Sequence, residues 1–324
     1  MTGFVLRRLL ISIPVVVLAS FLVFTLVAAG GDPLGDLRQN PNVSQATVAL
    51  RAAELNLDKP IPQRYLLWAG GAIRGDLGVA IDKEPVSDKL RRGFGITFRL
   101  VIVATLLAVA VAVALGVFSA VRQYSLGDYA GTFFAFVFFS MPVFWLAGIL
   151  KDMGIRFNRA VGSTIFYTVG ERTPNLAGGF FDTLGNRVGH LALPTLTLAL
   201  LSMAAWSRFQ RAAMLDVLNA DYVRTARAKG LSEVKVITKH ALRNALIPLT
   251  TVVALDFATL IGGAIITERV FAWKGMGSIL LEAIDRLDVN VVTGWLLVTA
   301  VVVVVFNLVA DILYALLDPR IRNA

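Results

Sequence analysis

Six apolar stretches punctuate the chain, at 9–31, 100–121, 129–150, 191–207, 244–267 and 289–310, each uncharged or nearly so. About 20 apolar residues cross the hydrocarbon core of a bilayer as a helix, so the pattern predicts an all-α polytopic membrane protein with six transmembrane helices. An even number of crossings returns both termini to one side. Positive charge follows the same division: loops on the terminal side carry 13 Lys or Arg residues, against eight in the 151–190 and 268–288 loops opposite. Cationic loops are retained in the cytoplasm, which assigns both termini and the 208–246 loop to that side. Arg7 and Arg8 ahead of a run ending Val27-Ala28-Ala29 could mimic a secretory signal, but its 23 residues exceed the about 7–15 of a signal core, and it reads as an uncleaved first span.

The polar stretches divide the rest. Residues 1–31 form the N-terminus and span one, 32–99 an external helical subdomain, and 100–324 a membrane core of spans two to six. In the subdomain, 44–56 has helical apolar spacing, and 63–73 is a second amphipathic candidate whose Tyr65 and Trp68 suit the membrane interface. Span three is unusually aromatic (Phe133, Phe134, Phe136, Phe138, Phe139, Phe144, Trp145), a stripe expected to pack in the bundle, and Pro142 should kink it. His190 closes the second external loop and reads as an interfacial residue; Trp206 is expected at the cytoplasmic end of span four, which 208–218 prolongs towards the basic loop.

Polar groups inside spans are costly, about 2.5–3.5 kcal/mol for a central Asp, and should face the bundle or water with a partner. Asp256, halfway along span five, is the candidate for lining a pathway, with an interhelical hydrogen bond as the simpler role. Asn307 and Asp311 stand four apart on one face of span six, as a structural pair, and Gly262-Gly263 permits close helix approach.

The basic loop contains the one long patterned cationic segment, DYVRTARAKGLSEVKVITKHALRNALIP at 221–248. Tyr222 to Lys229 has no helix breaker, Gly230 can take positive φ at its end, and Leu231 follows as the hydrophobic contact of a helix stop. Ser232 can cap a second helix, with Val234, Ile237, Ala241 and Ala245 as its apolar stripe until Pro248 restricts the backbone. A short helix with Asp221, Arg224, Arg227 and Lys229 exposed, ending at a glycine, is a shape another protein can grip.

Composition agrees with the pattern. The chain of 324 residues is 56% hydrophobic and 16% charged, with a mean hydropathy of +0.71, where soluble domains carry about 25% charged residues. It has no cysteine, hence no disulfide or thiolate site. A net charge of +9 is explained by orientation in an anionic membrane rather than by nucleic acid, for which no motif exists. There is no P-loop, H-E-x-x-H or G-x-S-x-G, so no catalytic residue, metal site or bound cofactor is expected in this chain. An intramembrane enzyme is thereby disfavoured. A secondary transporter would show inverted repeats and paired broken helices, and no six-span duplication is visible.

Aligned on Gly230, Ala226-x-x-x-Gly230 followed by Ile247-Pro248 resembles the EAA loop of binding-protein-dependent ABC importer permeases. Arg224 and Thr225 replace the first two letters of that motif, yet DYVRTARAKGL with KHALRNALIP is similar to the form found in the dipeptide, oligopeptide and nickel branch. Gly31-Asp32-Pro33, LRAAELNLDKPIPQRYLLW, RGDLG at 74–78, SMPVFWL at 140–146, TERVFAWKGMGSILLEAI and the ending DILYALLDPRIR extend the resemblance over nearly the whole chain. It implies a B-type permease subunit in the bacterial plasma (inner) membrane, importing peptide, oligopeptide above dipeptide, with nickel chelates or glutathione as alternatives. It implies as partners a second, C-type permease, one or two ATPase subunits that hold ATP and Mg, and an external substrate-binding protein; the 32–99 subdomain is either where that protein docks or a folded cap with only a packing role. It also implies that Asp221, Tyr222, Arg224, Thr225, Ala226, Arg227, Lys229, Gly230 and Leu231 form the coupling helix that docks on an ATPase.

Overall fold

The computed structural model describes residues 2–317. Its helices, in order, are α1 (Thr2–Ala29), α2 (Gly35–Gln39), α3 (Gln45–Glu54), α4 (Ile61–Ala72), α5 (Val86–Val121), α6 (Leu126–Ser140), α7 (Val143–Val161), α8 (Phe180–Leu218), α9 (Asp221–Ala228), α10 (Glu233–Lys235), a π-helical turn (Val236–Ala241), α11 (Leu242–Gly263), α12 (Ile265–Val270), α13 (Met276–Asp285) and α14 (Val289–Leu317). Helices α1, α5, α8 and α14 contain stretches long and apolar enough to cross a membrane, and α6 with α7 do so as a bent pair. Helix α11, 22 residues long, occupies the place of the fifth expected span; its Gly262-Gly263 pair falls among side chains outside the described residues. So do the side chain of Asp311 and all of Arg320 and Arg322.

The chain divides into two compact units, Met1–Thr97 with Lys274–Val304 and Phe98–Trp273 with Val305–Ala324. In the first unit, Ser44 caps α3 by accepting the Thr47 N–H at 3.1 Å, and proline in the first turn starts α4 where no N–H is needed. Its core joins Phe24, Tyr65, Trp68, Leu77, Val86 and Leu90 to Met276 and Val291. Tyr65 and Trp68, expected at the membrane interface, are instead 7% and 8% exposed. The reason is that their polar atoms are served inside: Tyr65 OH meets Ser20 Oγ at 2.9 Å, and Trp68 Nε1 donates to the Leu77 carbonyl at 3.2 Å. Arg51 is buried as well, its guanidinium donating to the carbonyls of Ala80 at 2.6 Å and Ile81 at 2.9 Å.

Asp288 sits beside these carbonyls' segment, accepting the Ile81 N–H at 2.7 Å and that of Val291 at 3.2 Å. Burial pushes its carboxyl above the usual carboxylate range, against the pull of those two N–H groups. A raised folded pKa means that its contribution to stability is complete at low pH and is lost as pH rises through the folded value. Asp288→Asn is therefore expected to flatten the decline in melting temperature on raising pH above the ordinary carboxylate range; an unchanged slope would place that decline elsewhere.

The second unit is organised by α8, 39 residues long, which packs against α6, α7 and α11. Small residues bring backbones close: Ala108 and Ala112 of α5 meet Ala199 and Trp206 of α8 and Leu249 of α11. At Gly116 of α5, a Cβ would lie 2.7 Å from Gln210 Cβ and 2.9 Å from the Ser207 carbonyl oxygen. Gln210 is fully buried and cannot swing away. Gly116→Ala is expected to destabilise by about 1–3 kcal/mol, the usual cost of overpacking, measured as a lowered melting temperature in detergent; an unchanged midpoint would show that α5 and α8 can separate freely.

Span three, expected as one kinked helix, is two. Helices α6 and α7 meet at 109°. Pro142 has no N–H to donate and keeps Met141 extended at ψ 131°, so α6 stops at Ser140 and α7 restarts after the proline. Of the aromatic stripe, Phe133, Phe134, Phe136, Phe139, Phe144 and Trp145 are exposed on the chain by itself. His190 is buried packing, stacked on Tyr167 with centroids 4.2 Å apart, its Nδ1 2.9 Å from the Gly170 carbonyl and its Nε2 3.2 Å from Thr173 Oγ1.

Candidate functional site

Helix α9 is a short amphipathic strut. Val223 and Ala226, one turn apart, are buried against Met214 of α8, Ala120 of α5, Val236 and Ala241 of the π-helical turn, and Ala245 of α11. The remaining positions of the segment face outward: Asp221, Tyr222, Arg224, Thr225, Arg227, Lys229, Gly230 and Leu231 are exposed. Of the residues assigned to coupling, Ala226 thus anchors the strut on its own chain while its neighbours form the outer tip. Gly230 has φ +76°, the left-handed value the turn demands. Leu231, expected as the hydrophobic contact of the helix stop, stays 38% exposed.

Side-chain links hold the tip. Arg227 reaches across the glycine turn and donates to both oxygens of Glu233, at 2.7 Å and 3.2 Å, and its guanidinium holds that carboxyl below the usual range. Asn244 Nδ2 donates to Tyr222 OH at 2.9 Å, tying α9 to the start of α11.

The second helix of the segment differs from its expected form. Ser232 occupies the N-cap position without a side-chain bond. The chain then passes through the π-helical turn, where the Leu242 N–H bonds to the Ile237 carbonyl five residues back. One extra residue in that turn shifts the stripe: Val236, Ala241 and Ala245 are buried, whereas Val234 is 71% exposed. Pro248 does not end the helix but lies inside α11.

Deeper in the unit, Trp206 Nε1 donates to Asp256 Oδ2 at 2.7 Å, joining α8 to α11. Trp206 is 1% exposed rather than at the cytoplasmic interface, because its indole N–H finds this carboxylate inside. The interhelical bond, the simpler of the two roles expected for Asp256, is thus present. Asp256→Leu leaves a buried indole N–H without this acceptor, a cost of about 1–3 kcal/mol; Asp256→Asn keeps an acceptor oxygen. Lost thermal stability in the Leu variant alone is the expected result, and lost uptake in a fully stable Asn variant would instead mark the carboxylate as a pathway group.

The linear pattern missed one pair. Arg211 of α8 donates from Nε and Nη2 to the two oxygens of Asp128 at 2.9 Å and 2.8 Å, where α6 begins. Asp128 is 2% exposed. Two charges 83 residues apart at the ends of apolar runs carry no periodic signal, so only the fold pairs them. Three residues earlier, Arg208 lies over the rings of Phe136 and Phe139 at 4.9 Å and 4.7 Å. Helix α8 therefore carries the strut's core contact at Met214, the ion pair at Arg211 and the Asp256 bond at Trp206. Among the described residues, no group of His, Cys, Asp and Glu is placed to hold a metal.

Comparison with known proteins bears on what this arrangement serves. The family model described as the binding-protein-dependent transport system inner membrane component matches residues 112–323. The oligopeptide transport system permease protein OppB of Mycobacterium tuberculosis is 42% identical over 323 residues, 99% of each chain. The oligopeptide transport system permease protein AppB of Bacillus subtilis is 40% identical, over 99% of this chain and 100% of its own. The dipeptide transport system permease protein DppB of Escherichia coli is 36% identical, over 100% and 99%. Among solved structures, the inward-facing MetNI methionine ABC transporter superposes with a TM-score of 0.55 at 18% identity, over 71% of this chain and 96% of its own, a likeness of fold.

Proposed function

This chain belongs to the family of binding-protein-dependent transport system inner membrane components, and from that premise we propose that it forms half of the transmembrane pathway of an ATP-driven peptide importer. Full-length similarity to oligopeptide permeases at 42% and 40% identity, above the 36% to a dipeptide permease, favours oligopeptide as cargo. A second, C-type permease completes the pathway, one or two ATPase subunits carry ATP and Mg, and an external binding protein delivers the substrate. The chain itself hydrolyses nothing. It crosses the membrane six times, α6 and α7 together making the third crossing, with both termini in the cytoplasm.

The observation that carries the coupling role is the strut: an exposed tip whose inner face shares one apolar core with the ends of α5, α8 and α11. Closure of an ATPase against α9 displaces Val223 and Ala226, and a close-packed core passes that displacement to the helices rather than absorbing it. The pathway then alternates between its two openings.

Co-purification from the native membrane in mild detergent tests the assembly. Recovery of a second six-span chain and P-loop ATPases is expected. Recovery of this chain alone, still moving solute in vesicles without ATP, would replace the reading with a secondary transporter.

A further inference from the structure

We propose that the cytoplasmic end of α5 carries a binding groove for an anionic phospholipid, with one acyl chain against α5 and the phosphate at Arg122. Val113, Val117 and Val121 recur every four residues on one face of α5 and, with Ile237 and Leu242 from the π-helical turn and the start of α11, line a groove of about 360 Å³. Its lining is aliphatic and aromatic except at one end. There Arg122 stands with its guanidinium over the Phe118 ring, 5.6 Å from the centroid.

Charge commits the groove to one kind of occupant. Arg122 is exposed, and so are Lys239 and Arg243, each within two residues of a lining residue on the opposite wall. Among the described residues none of the three enters an ion pair. An apolar trough ending at one exposed guanidinium, Arg122, complements a molecule with a hydrocarbon tail and an anionic head. A water-soluble partner would leave the trough's aliphatic wall without a match. The trough also begins where a membrane-spanning helix ends: α5 stops at Val121, and Tyr124, 71% exposed just beyond, is an amphipathic ring of the type found at head-group level.

The position gives such a lipid a consequence. Val117 and Ile237 also pack against the core beneath α9. A bound acyl chain therefore braces the wall that the strut pushes on, and the inference holds whether or not α9 meets an ATPase.

The test is native mass spectrometry of the assembled transporter in micelles doped with dioleoylphosphatidylglycerol or dioleoylphosphatidylcholine, counting lipid retained. Phosphatidylglycerol is expected to be retained preferentially. Arg122→Gln should weaken that preference about fivefold, the factor equivalent to about 1 kcal/mol for one interfacial cation. Val121→Trp, which fills the trough, should reduce retention of both lipids. Equal retention of the two lipids by the native chain, or no change in either variant, would overturn the proposal. So would efficient cross-linking of Val121→Cys to another subunit, since protein would then cover the groove.

Discussion

Gly230→Val is expected to abolish substrate-stimulated ATP hydrolysis by the assembled transporter while the chain still inserts and assembles. The turn needs φ +76° at this residue, and left-handed backbone costs an L-residue about 1–2 kcal/mol, with β-branched side chains worst of all. Space is not the obstacle, because a Cβ at Gly230 meets nothing within 4 Å. The penalty is therefore purely conformational and is relieved by turning the backbone, which re-aims the α9 tip. Global stability of about 5–15 kcal/mol survives such a loss, whereas the direction of a docking surface does not. Gly230→Asn, which tolerates positive φ, should retain most of the stimulation. Gly230→Pro should behave as Val does, since it also removes the N–H that bonds to the Arg227 carbonyl at 2.9 Å. Unchanged stimulation in the Val variant would remove α9 from coupling.

The second large effect is expected at Arg211. Replacing it by Met leaves the Asp128 carboxylate, its side chain 3% exposed, without its cation, and an uncompensated buried charge costs about 3–5 kcal/mol. A strongly lowered melting temperature is the expected reading. Adding Asp128→Asn to the same chain removes the buried charge and should restore most of the loss, because a neutral pair avoids the desolvation that the single variant exposes. A double variant as unstable as the single would assign the effect to lost packing of the arginine stem. The pair fixes the start of α6 on α8 three residues from Arg208, so its loss also loosens the aromatic elbow that α6 and α7 form.

Much of this protein lies in the linear pattern. Uninterrupted apolar runs can do little but cross a membrane as helices, since every backbone N–H must be paired within the segment, and the order of the runs, the helices at Gln45–Glu54 and Ile61–Ala72 and the glycine turn at Gly230 follow from local rules. Residue identity likewise carried the family resemblance. What local rules cannot contain is which side chain meets which across the fold. Trp206, Tyr65 and Trp68 have the look of interfacial residues, and only the arrival of Asp256, Ser20 and the Leu77 carbonyl makes the interior the better place for them. Periodicity assumes 3.6 residues per turn, so one π-helical turn exchanged Val236 for Val234 in the buried stripe. Pro142 announced a break, but the 109° bend between α6 and α7 is not contained in the local pattern. Backbone satisfaction is a local requirement and was legible; the partner of a buried polar side chain is a property of the tertiary structure alone.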